Sequence, residues 1–236
     1  MRILITRPRE DAEPFARALT ALGHEPAIEP LLDITFIPGA PLDLIGVQAI
    51  LLTSANGARA IAQRIRGRDI AVVAVGPATS AAARAVGFVE VSEASGEGVE
   101  ALVQFVRAHL KPANGALLHP AGSVTAGDLS GALEAHGFQV RREVIYDAKA
   151  VDHLSGAGVA ELSAGLVDAV TFFSPRTAAL FVELAEEENL EASLSRVTAI
   201  CLSQAVATAL APMRFAAIKV AEKPSQDAML ATIGPP

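Results

Sequence analysis

The sequence contains little cysteine, few aromatic residues and an excess of acidic over basic residues. Its 236 residues include one cysteine, one tyrosine and no tryptophan. A single cysteine, Cys201, excludes an internal disulfide and a cysteine-based metal cage, and it suits a reducing compartment. Lysine and arginine number 19 against 26 acidic residues, for a net charge of -7. The negative charge argues against a groove that binds nucleic-acid phosphates, and the few aromatic residues argue against a surface on which bases stack.

Long apolar runs are also missing. No stretch approaches the length of about 18 residues that a membrane-spanning helix needs. The first eleven residues hold a short apolar stretch, Ile3–Ile5, among charged residues, and they are too short and too charged for a signal peptide. Hydrophobic residues make up 51% of the chain, which is ample for a globular core. We therefore expect a cytoplasmic protein that binds neither membranes nor nucleic acids.

Four common catalytic motifs are absent: GxxxxGK[ST], GxSxG, HExxH and CxxC. The five histidines stand far apart, and none is paired at helical spacing for a metal. Residues 96–101 fit the loose pattern GxGxxA, but Glu97 and Glu100 lie where a pyrophosphate would approach, so a capped turn that opens a helix is the favoured interpretation. We expect no metal ion.

Short runs of branched aliphatic residues alternate with alanine-rich stretches of helical period. This alternation is typical of a mostly parallel sheet covered by helices. Ser54, Thr79, Ser174 and Ser203 follow predicted strands, where their side-chain oxygens can cap helices. The predicted strands are residues 2–6, 25–31, 49–53, 71–75, 115–119, 139–146, 169–173, 197–202 and 217–220.

An internal repeat organises these strands and helices. Three segments resemble three later segments in the same order: 48–60, 70–83 and 89–102 resemble 168–179, 197–209 and 219–230. The two remaining segments, 115–122 and 139–146, resemble 3–8 and 25–31, so the repeat is permuted. The simplest arrangement is two similar parallel-sheet α/β domains. One is discontinuous, residues 1–34 plus 148–236, and the other, residues 38–145, is inserted into it.

The chain passes between the predicted domains twice, near residues 31–41 and 144–151. Two such segments can pair into a two-stranded β-ladder and act as a hinge, because two connections resist twisting yet permit bending. We expect a cleft between the domains. Since ligands of open parallel sheets bind beyond the carboxyl ends of the strands, each domain would present its strand-to-helix turns to that cleft.

Five of these turns are rich in glycine and small hydroxylated residues. Helix N-termini carry free N–H groups and about half a unit of positive charge, so such turns can hold carboxylates without much lysine or arginine. Each turn can instead be no more than a helix cap, and His119 can either face the cleft or stabilise its own turn. The candidate substrate-binding residues in the turns are Thr53, Ser54, Asn56, Gly76, Thr79, Ser80, Ala121, Gly122, Ser174, Ser203 and Gln204.

Seven segments in this order resemble the uroporphyrinogen-III synthase family over nearly the whole chain. They are ILITRP, LLTSANGARA, AVGPATSAAARAVGF, GEGVEAL, LLHPAGS, GFQVRREVIYDA and VTFFSPRTAALF. The resemblance implies a cyclising hydro-lyase of tetrapyrrole biosynthesis that needs no cofactor. Its substrate would be hydroxymethylbilane, received from hydroxymethylbilane synthase, and ring closure to uroporphyrinogen III would invert ring D. Because no long apolar seam is visible, we expect a monomer.

The resemblance also implies roles for particular residues. Tyr146 matches the tyrosine of the family's VY motif and is the candidate catalytic residue, as a hydrogen-bond donor to the departing hydroxyl group. Thr79 and Ser174 match a threonine and a serine that position substrate. Arg7 and Arg176 are the candidate cationic contacts, with solvated surface as the alternative for both.

One turn departs from the family pattern. Many relatives have Gly-Pro-Thr-Thr after the late strand, whereas this chain has Ser203 and Gln204 there, so no role of those threonines is carried over. Three alternatives remain open: a bilobal small-anion-binding protein, a regulatory protein that kept this fold without catalysis, and a nucleotide-using oxidoreductase or transferase.

Overall fold

The computed structural model describes residues 1–96, 98–124 and 127–235. The strands within those ranges are β1 (Arg2–Ile5), β2 (Glu25–Ile28), β3 (Leu32–Phe36), β4 (Val47–Leu52), β5 (Val72–Val75), β6 (Val91–Ala94), β7 (Ala116–Gly122), β8 (Val140–Ala150), β9 (Ala169–Phe172), β10 (Thr198–Cys201) and β11 (Ala217–Val220). The helices are α1 (Arg9–Ala21), α2 (Ala55–Arg64), α3 (Gly76–Ala85), α4 (Gly98–His109), α5 (Leu129–Glu134), α6 (Gly156–Ser163), α7 (Pro175–Glu187), α8 (Glu191–Leu194), α9 (Gln204–Ala209) and α10 (Gln226–Ile233), with a 3-10 turn at Pro112–Asn114.

The strands form two sheets with the same internal order. The first sheet runs β11-β10-β9-β1-β2, and the second runs β6-β5-β4-β7-β8-β3. In the first sheet all neighbouring strands are parallel, and in the second sheet the neighbouring strands from β6 through β8 are parallel. The first five strands of each sheet correspond one to one, as the permuted repeat predicts. The prediction of two similar parallel-sheet α/β folds is confirmed.

The strands in the middle of each sheet are buried on both faces, which explains their continuous apolar runs in the sequence. In β4, Ile50 and Leu52 pack on the side of α2, whereas Ala49 and Leu51 pack on the side of α4. Side chains alternate between the faces of a strand, so a strand covered by helices on both sides must be apolar at every position. Residues of β1 divide between two clusters in the same way.

The chain separates into two compact units, residues 1–33 with 149–236, and residues 34–148. The first unit holds the five-stranded sheet, and nearly all of the six-stranded sheet lies in the second. The predicted crossing segments do pair: β3 lies beside β8 in the sheet, and the Ile37 amide donates to the Ile145 carbonyl at 2.9 Å. Bending at this ladder stays a prediction.

Helix α4 begins at Gly98, and the predicted capped turn before it includes Glu97, which lies outside the described residues. Of the helices in the described ranges, none has the length and apolar character needed to cross a membrane.

Candidate active site

Three of the predicted turns of the second unit lie at one edge of its sheet. Strands β5, β4 and β7 are parallel neighbours, so their carboxyl ends point the same way. Thr53 follows β4, Gly76 follows β5, and Gly122 ends β7. This is the edge at which open parallel sheets bind ligands.

Tyr146 lies in β8 next to this edge, and its side chain is only 7% exposed. The ring packs directly on Gly122: a Cβ atom built on Gly122 would lie 2.9 Å from Cε2, 3.0 Å from Cζ and 3.2 Å from the hydroxyl oxygen. Gly57 of α2 approaches the ring from another side. Among the residues that the structure describes, none accepts or donates a hydrogen bond at the tyrosine hydroxyl. The hydroxyl is therefore available to a ligand.

A β-bulge sets the direction of the Tyr146 side chain. Ala121 of β7 pairs with Val144, but the next residue, Gly122, pairs with Tyr146, so Ile145 is an extra residue in β8. Since side chains alternate along a strand, one extra residue transfers the following side chain to the other face. Tyr146 thereby joins the apolar cluster on the α2 side of the sheet.

The start of α2 carries three candidate residues. Ser54 caps the helix and accepts the Asn56 amide proton at 3.0 Å, as expected from its place after a strand. The Arg59 guanidinium donates to the Asn56 side-chain oxygen at 2.9 Å. Thr53 is half-buried between the strand and the helix. Hydroxyl protons of Thr53 and Ser54 can therefore be offered to a carboxylate.

His119 lies beside Thr53, on the neighbouring strand β7. Its Nε2 is 3.4 Å from the Thr53 hydroxyl oxygen, and the side chain is 3% exposed. Burial, together with the positive charge of Arg142, lowers the pKa of His119 to about 4. The imidazole is therefore neutral at neutral pH. Arg142 also donates to the Gly122 carbonyl at 2.9 Å, which supports the strand end beneath Tyr146.

The turn between β5 and α3 differs from its prediction. Helix α3 begins at Gly76, which has a φ of 70°, and Val75 occupies the N-cap position without a side-chain cap. The expectation that Thr79 caps this helix is wrong, because Thr79 is a buried residue inside the first turns. The Ser80 hydroxyl lies 2.9 Å from a Glu93 carboxylate oxygen and 3.0 Å from the Gly76 carbonyl, so it serves the protein's own structure.

Ala121 and Gly122 belong to a strand and not to a turn. Strand β7 continues three residues beyond the predicted end at His119, and both residues are buried. The prediction that these two residues lie in a strand-to-helix turn is therefore wrong. The turn begins at Ser123, whose hydroxyl donates to the Asp147 carboxylate. Gly122 contributes to the site through its contact with Tyr146.

Arg7 follows β1 in the first unit, and its guanidinium contacts Phe173, Gln226 and Asp11. Its guanidinium carbon lies 4.2 Å from the centroid of the Phe173 ring, a cation–π geometry. Its nitrogens lie 3.5 Å from the Gln226 side-chain oxygen and 3.7 Å from an Asp11 carboxylate oxygen. A partly buried guanidinium thus stands beyond the carboxyl end of β1, which lies beside the central strand β9.

The remaining candidates lie at the starts of two helices of the first unit. Ser174 caps α7 by accepting the Thr177 amide proton at 3.1 Å, which confirms its predicted capping role. Arg176 is exposed in the first turn of α7. Ser203 occupies the N-cap position of α9 but forms no side-chain cap bond, contrary to expectation, and Gln204 is exposed at the first helical position.

Sequence reasoning did not find the contacts that join these residues. They are the bulge at Ile145, the Arg142–Gly122 hydrogen bond and the Arg7–Phe173 contact. Each joins residues that lie in, or directly after, different strands, so no local pattern predicts it. Within the described ranges, no group of three histidine, cysteine or acidic residues could hold a metal ion.

The fold and the site define a class: a repeated-sheet α/β protein with polar strand-end turns suited to an anionic small molecule. The family model described as HEM4, uroporphyrinogen-III synthase HemD, matches residues 13–231. Because this match covers most of the chain, the protein belongs to the uroporphyrinogen-III synthase family. Enzymes of this family are cyclising lyases, and the comparison does not favour a regulatory or anion-binding protein.

Solved structures show the same fold. Uroporphyrinogen-III synthetase from Helicobacter pylori is 18% identical, with a TM-score of 0.62 and coverage of 98% of this chain and 97% of that one. A mutant uroporphyrinogen III synthase from the extremely thermophilic bacterium Thermus thermophilus is also 18% identical, with a TM-score of 0.58 and coverage of 99% and 97%. A search of curated proteins found no match to this sequence.

Proposed function

We propose that the protein removes water from hydroxymethylbilane and closes it to uroporphyrinogen III with inversion of ring D. The observation that supports this most is the family match over residues 13–231. The solved relatives from Helicobacter pylori and Thermus thermophilus are named as enzymes of this activity and share the fold over nearly their whole length. The reaction is a step of tetrapyrrole biosynthesis, and we propose that it needs no cofactor.

Tyr146 is proposed as the donor to the departing hydroxyl group. An electron-rich pyrrole expels hydroxide with modest acid assistance, so a neutral phenol at hydrogen-bond distance is sufficient. The apolar surroundings of Tyr146 support this role, because a hydrogen bond is stronger where water is excluded. Gly122 and the bulge at Ile145 hold the ring in one orientation, which favours one geometry of the substrate end.

The substrate carries many carboxylates, and the polar turns are proposed to hold them. The first amides of α3 support this role, since the N-cap residue Val75 has no side-chain acceptor to occupy them. Thr53 and Ser54 add hydroxyl donors at the same edge of the sheet. In the first unit, Arg7 adds a cation that its contacts hold at a strand end. The prediction that both domains share one binding cleft stays a prediction.

The catalytic task is to select the carbon that is attacked. Without an enzyme, hydroxymethylbilane closes to the type I isomer, so the protein must hold the chain ends where the type III bond forms faster. The test supplies purified protein with freshly generated hydroxymethylbilane, oxidises the products and separates the uroporphyrin isomers by chromatography. Mostly type III product without added cofactor would support the proposal. Type I alone, at the rate of a protein-free control, would refute it.

The same assay separates the enzyme from an anion-binding protein of this fold. Such a protein would bind the linear tetrapyrrole without raising the type III fraction. We also propose that the protein is a cytoplasmic monomer that receives its substrate from hydroxymethylbilane synthase. Light scattering after size exclusion tests the oligomeric state, and a type III yield that falls when the two enzymes are diluted together would support direct transfer.

A further inference from the structure

His119 and Thr53 stand 66 positions apart in the sequence and meet where two neighbouring strands, β7 and β4, lie side by side. His119 Nε2 lies 3.4 Å from the Thr53 hydroxyl oxygen, a long hydrogen bond. The imidazole is almost fully buried, whereas Thr53 is half-buried and follows the end of β4. The threonine hydroxyl therefore stands between a buried ring and the ligand-binding edge of the sheet.

The second ring nitrogen decides which atom donates in this pair. His119 Nδ1 is buried and has no hydrogen-bond partner among the described residues. A neutral imidazole carries one proton, so Nδ1 holds either an unpaired N–H group or an unpaired lone pair. In buried sites, an N–H group without a hydrogen-bond partner is rarer than an acceptor lone pair without one. The proton therefore belongs on Nε2, which makes His119 the donor and the Thr53 oxygen the acceptor.

This arrangement leaves the Thr53 proton pointing away from the ring. A hydroxyl group that accepts from a fixed donor keeps its own proton for another acceptor. We propose that His119 is a positioning residue, which holds Thr53 as a hydrogen-bond donor to a substrate carboxylate. The carboxylate part of this inference rests on the proposed function, whereas the direction of the hydrogen bond does not.

The surroundings of His119 keep the ring neutral, as this role requires. Arg142 is the register partner of His119 on β8, and its charge opposes a second positive charge on the ring. A protonated imidazole would place an N–H group on each nitrogen and leave one buried without a partner. Neutral His119 can serve as the fixed donor throughout the reaction.

Nuclear magnetic resonance tests the hydrogen bond without any substrate. A long-range proton–nitrogen spectrum at pH 7 shows which ring nitrogen carries the proton, and the spectrum of His119→Gln identifies the signals of His119. We expect the Nε2–H form in the wild-type protein and a shift of these signals in Thr53→Val. An Nδ1–H form, or signals that do not respond to Thr53→Val, would overturn the proposal.

Kinetics test whether the pair acts on substrate binding. The amide nitrogen of glutamine can reach the position of Nε2, whereas that of asparagine reaches only the position of Nδ1. We expect His119→Gln to keep KM within about threefold of wild type. His119→Asn and Thr53→Val should each raise KM about tenfold or more with little change in kcat, which is the effect of losing one hydrogen bond to a charged group.

The double variant separates positioning from a general structural role. If His119 acts through Thr53, His119→Asn adds nothing to the KM of Thr53→Val. Equal effects of His119→Asn in both backgrounds, or a wild-type KM in His119→Asn alone, would overturn the proposal. Thermal melting checks that each variant folds. If His119→Asn does not fold, a comparison of Thr53→Ser with Thr53→Val takes the place of the comparison between the histidine variants. A wild-type protein that makes only type I product would refute the proposed function and the carboxylate role, while the spectra would still decide the hydrogen bond.

Discussion

Adding one methyl group at Gly122 tests whether the position of Tyr146 matters for the reaction. An alanine Cβ at this site would stand 2.9 Å from ring atom Cε2 and 3.0 Å from Cζ. Carbon atoms pack at about 3.5–4.0 Å, so the ring must withdraw by about 0.5–1 Å or the strands must separate. Tyr146 is buried against α2 and β7, and it has little space for this movement.

Two effects of Gly122→Ala follow from this geometry. Overpacking of a filled core costs about 1–3 kcal/mol, which should lower the free energy of unfolding by that amount. A displacement of the reacting groups by about 1 Å can slow an enzyme about 10²-fold. Because the uncatalysed reaction gives the type I isomer, we expect kcat to fall about tenfold to 10²-fold and the type I fraction to rise.

The assay measures type III formation and isomer ratio, with urea unfolding alongside. Gly67→Ala is the matched control. Gly67 lies in the same unit, and a Cβ atom at this position would have no described atom within 4 Å. In a Tyr146→Phe background, Gly122→Ala should cost much less activity, because the displaced hydroxyl is already missing. A stable Gly122→Ala variant with the wild-type rate and isomer ratio would refute the reasoning, and so would an equal loss in Gly67→Ala.

Four further outcomes are expected. Tyr146→Phe should lower kcat by about 10²-fold or more and raise the type I fraction, with an unfolding midpoint near that of wild type; unchanged turnover would remove the hydroxyl from the mechanism. The folded-state pKa of His119, about 4, lies below its unfolded value. The unfolded chain therefore takes up this proton first as pH falls, and the wild type should lose about 2 kcal/mol of unfolding free energy between pH 7 and pH 5 that His119→Gln keeps. Burial raises the pKa of the Cys201 thiol to about 12, so a thiol reagent should label it only after denaturation, and fast labelling of native protein would contradict its place in the core. Ser80→Ala removes the hydrogen bond to Glu93 and should lower the unfolding free energy by about 1 kcal/mol in urea titration, whereas a KM effect without a stability effect would indicate substrate contact.

Most strands of both sheets could be predicted because the relevant signals are local and occur twice. A buried parallel strand must be apolar at every position, and a helix that covers it shows a period near 3.6 residues. Each signal appears in both halves of the permuted repeat, so a weak segment such as residues 217–220 is supported by its counterpart, residues 89–94. Ser54 and Ser174 were predicted as caps for a similar reason, since a cap needs only the residues next to it.

Local sequence signals gave wrong predictions where the backbone conformation or the pairing of strands determined the structure. Thr79 has the right chemistry for a cap, but Gly76 begins the helix with a positive φ, so Thr79 falls inside it. Ser203 stands at a cap position without the bond, because position alone does not orient a side chain. At Ala121 and Gly122 the strand continues where the sequence indicated a turn, since pairing with β8 extends β7 to that point.

The sequence by itself determined the repeated α/β fold, the family and the identity of most candidate site residues. These depend on periodicity, on turn chemistry and on motifs that recur in order. Only the tertiary structure decided how the candidates meet: Tyr146 lies on Gly122 through a bulge, His119 reaches Thr53 from another strand, and Arg7 stacks on the ring of a residue that follows a different strand. The physical reason is that each of these contacts depends on the register between strands distant in sequence. Register is the outcome of packing the whole sheet, and no short segment contains it.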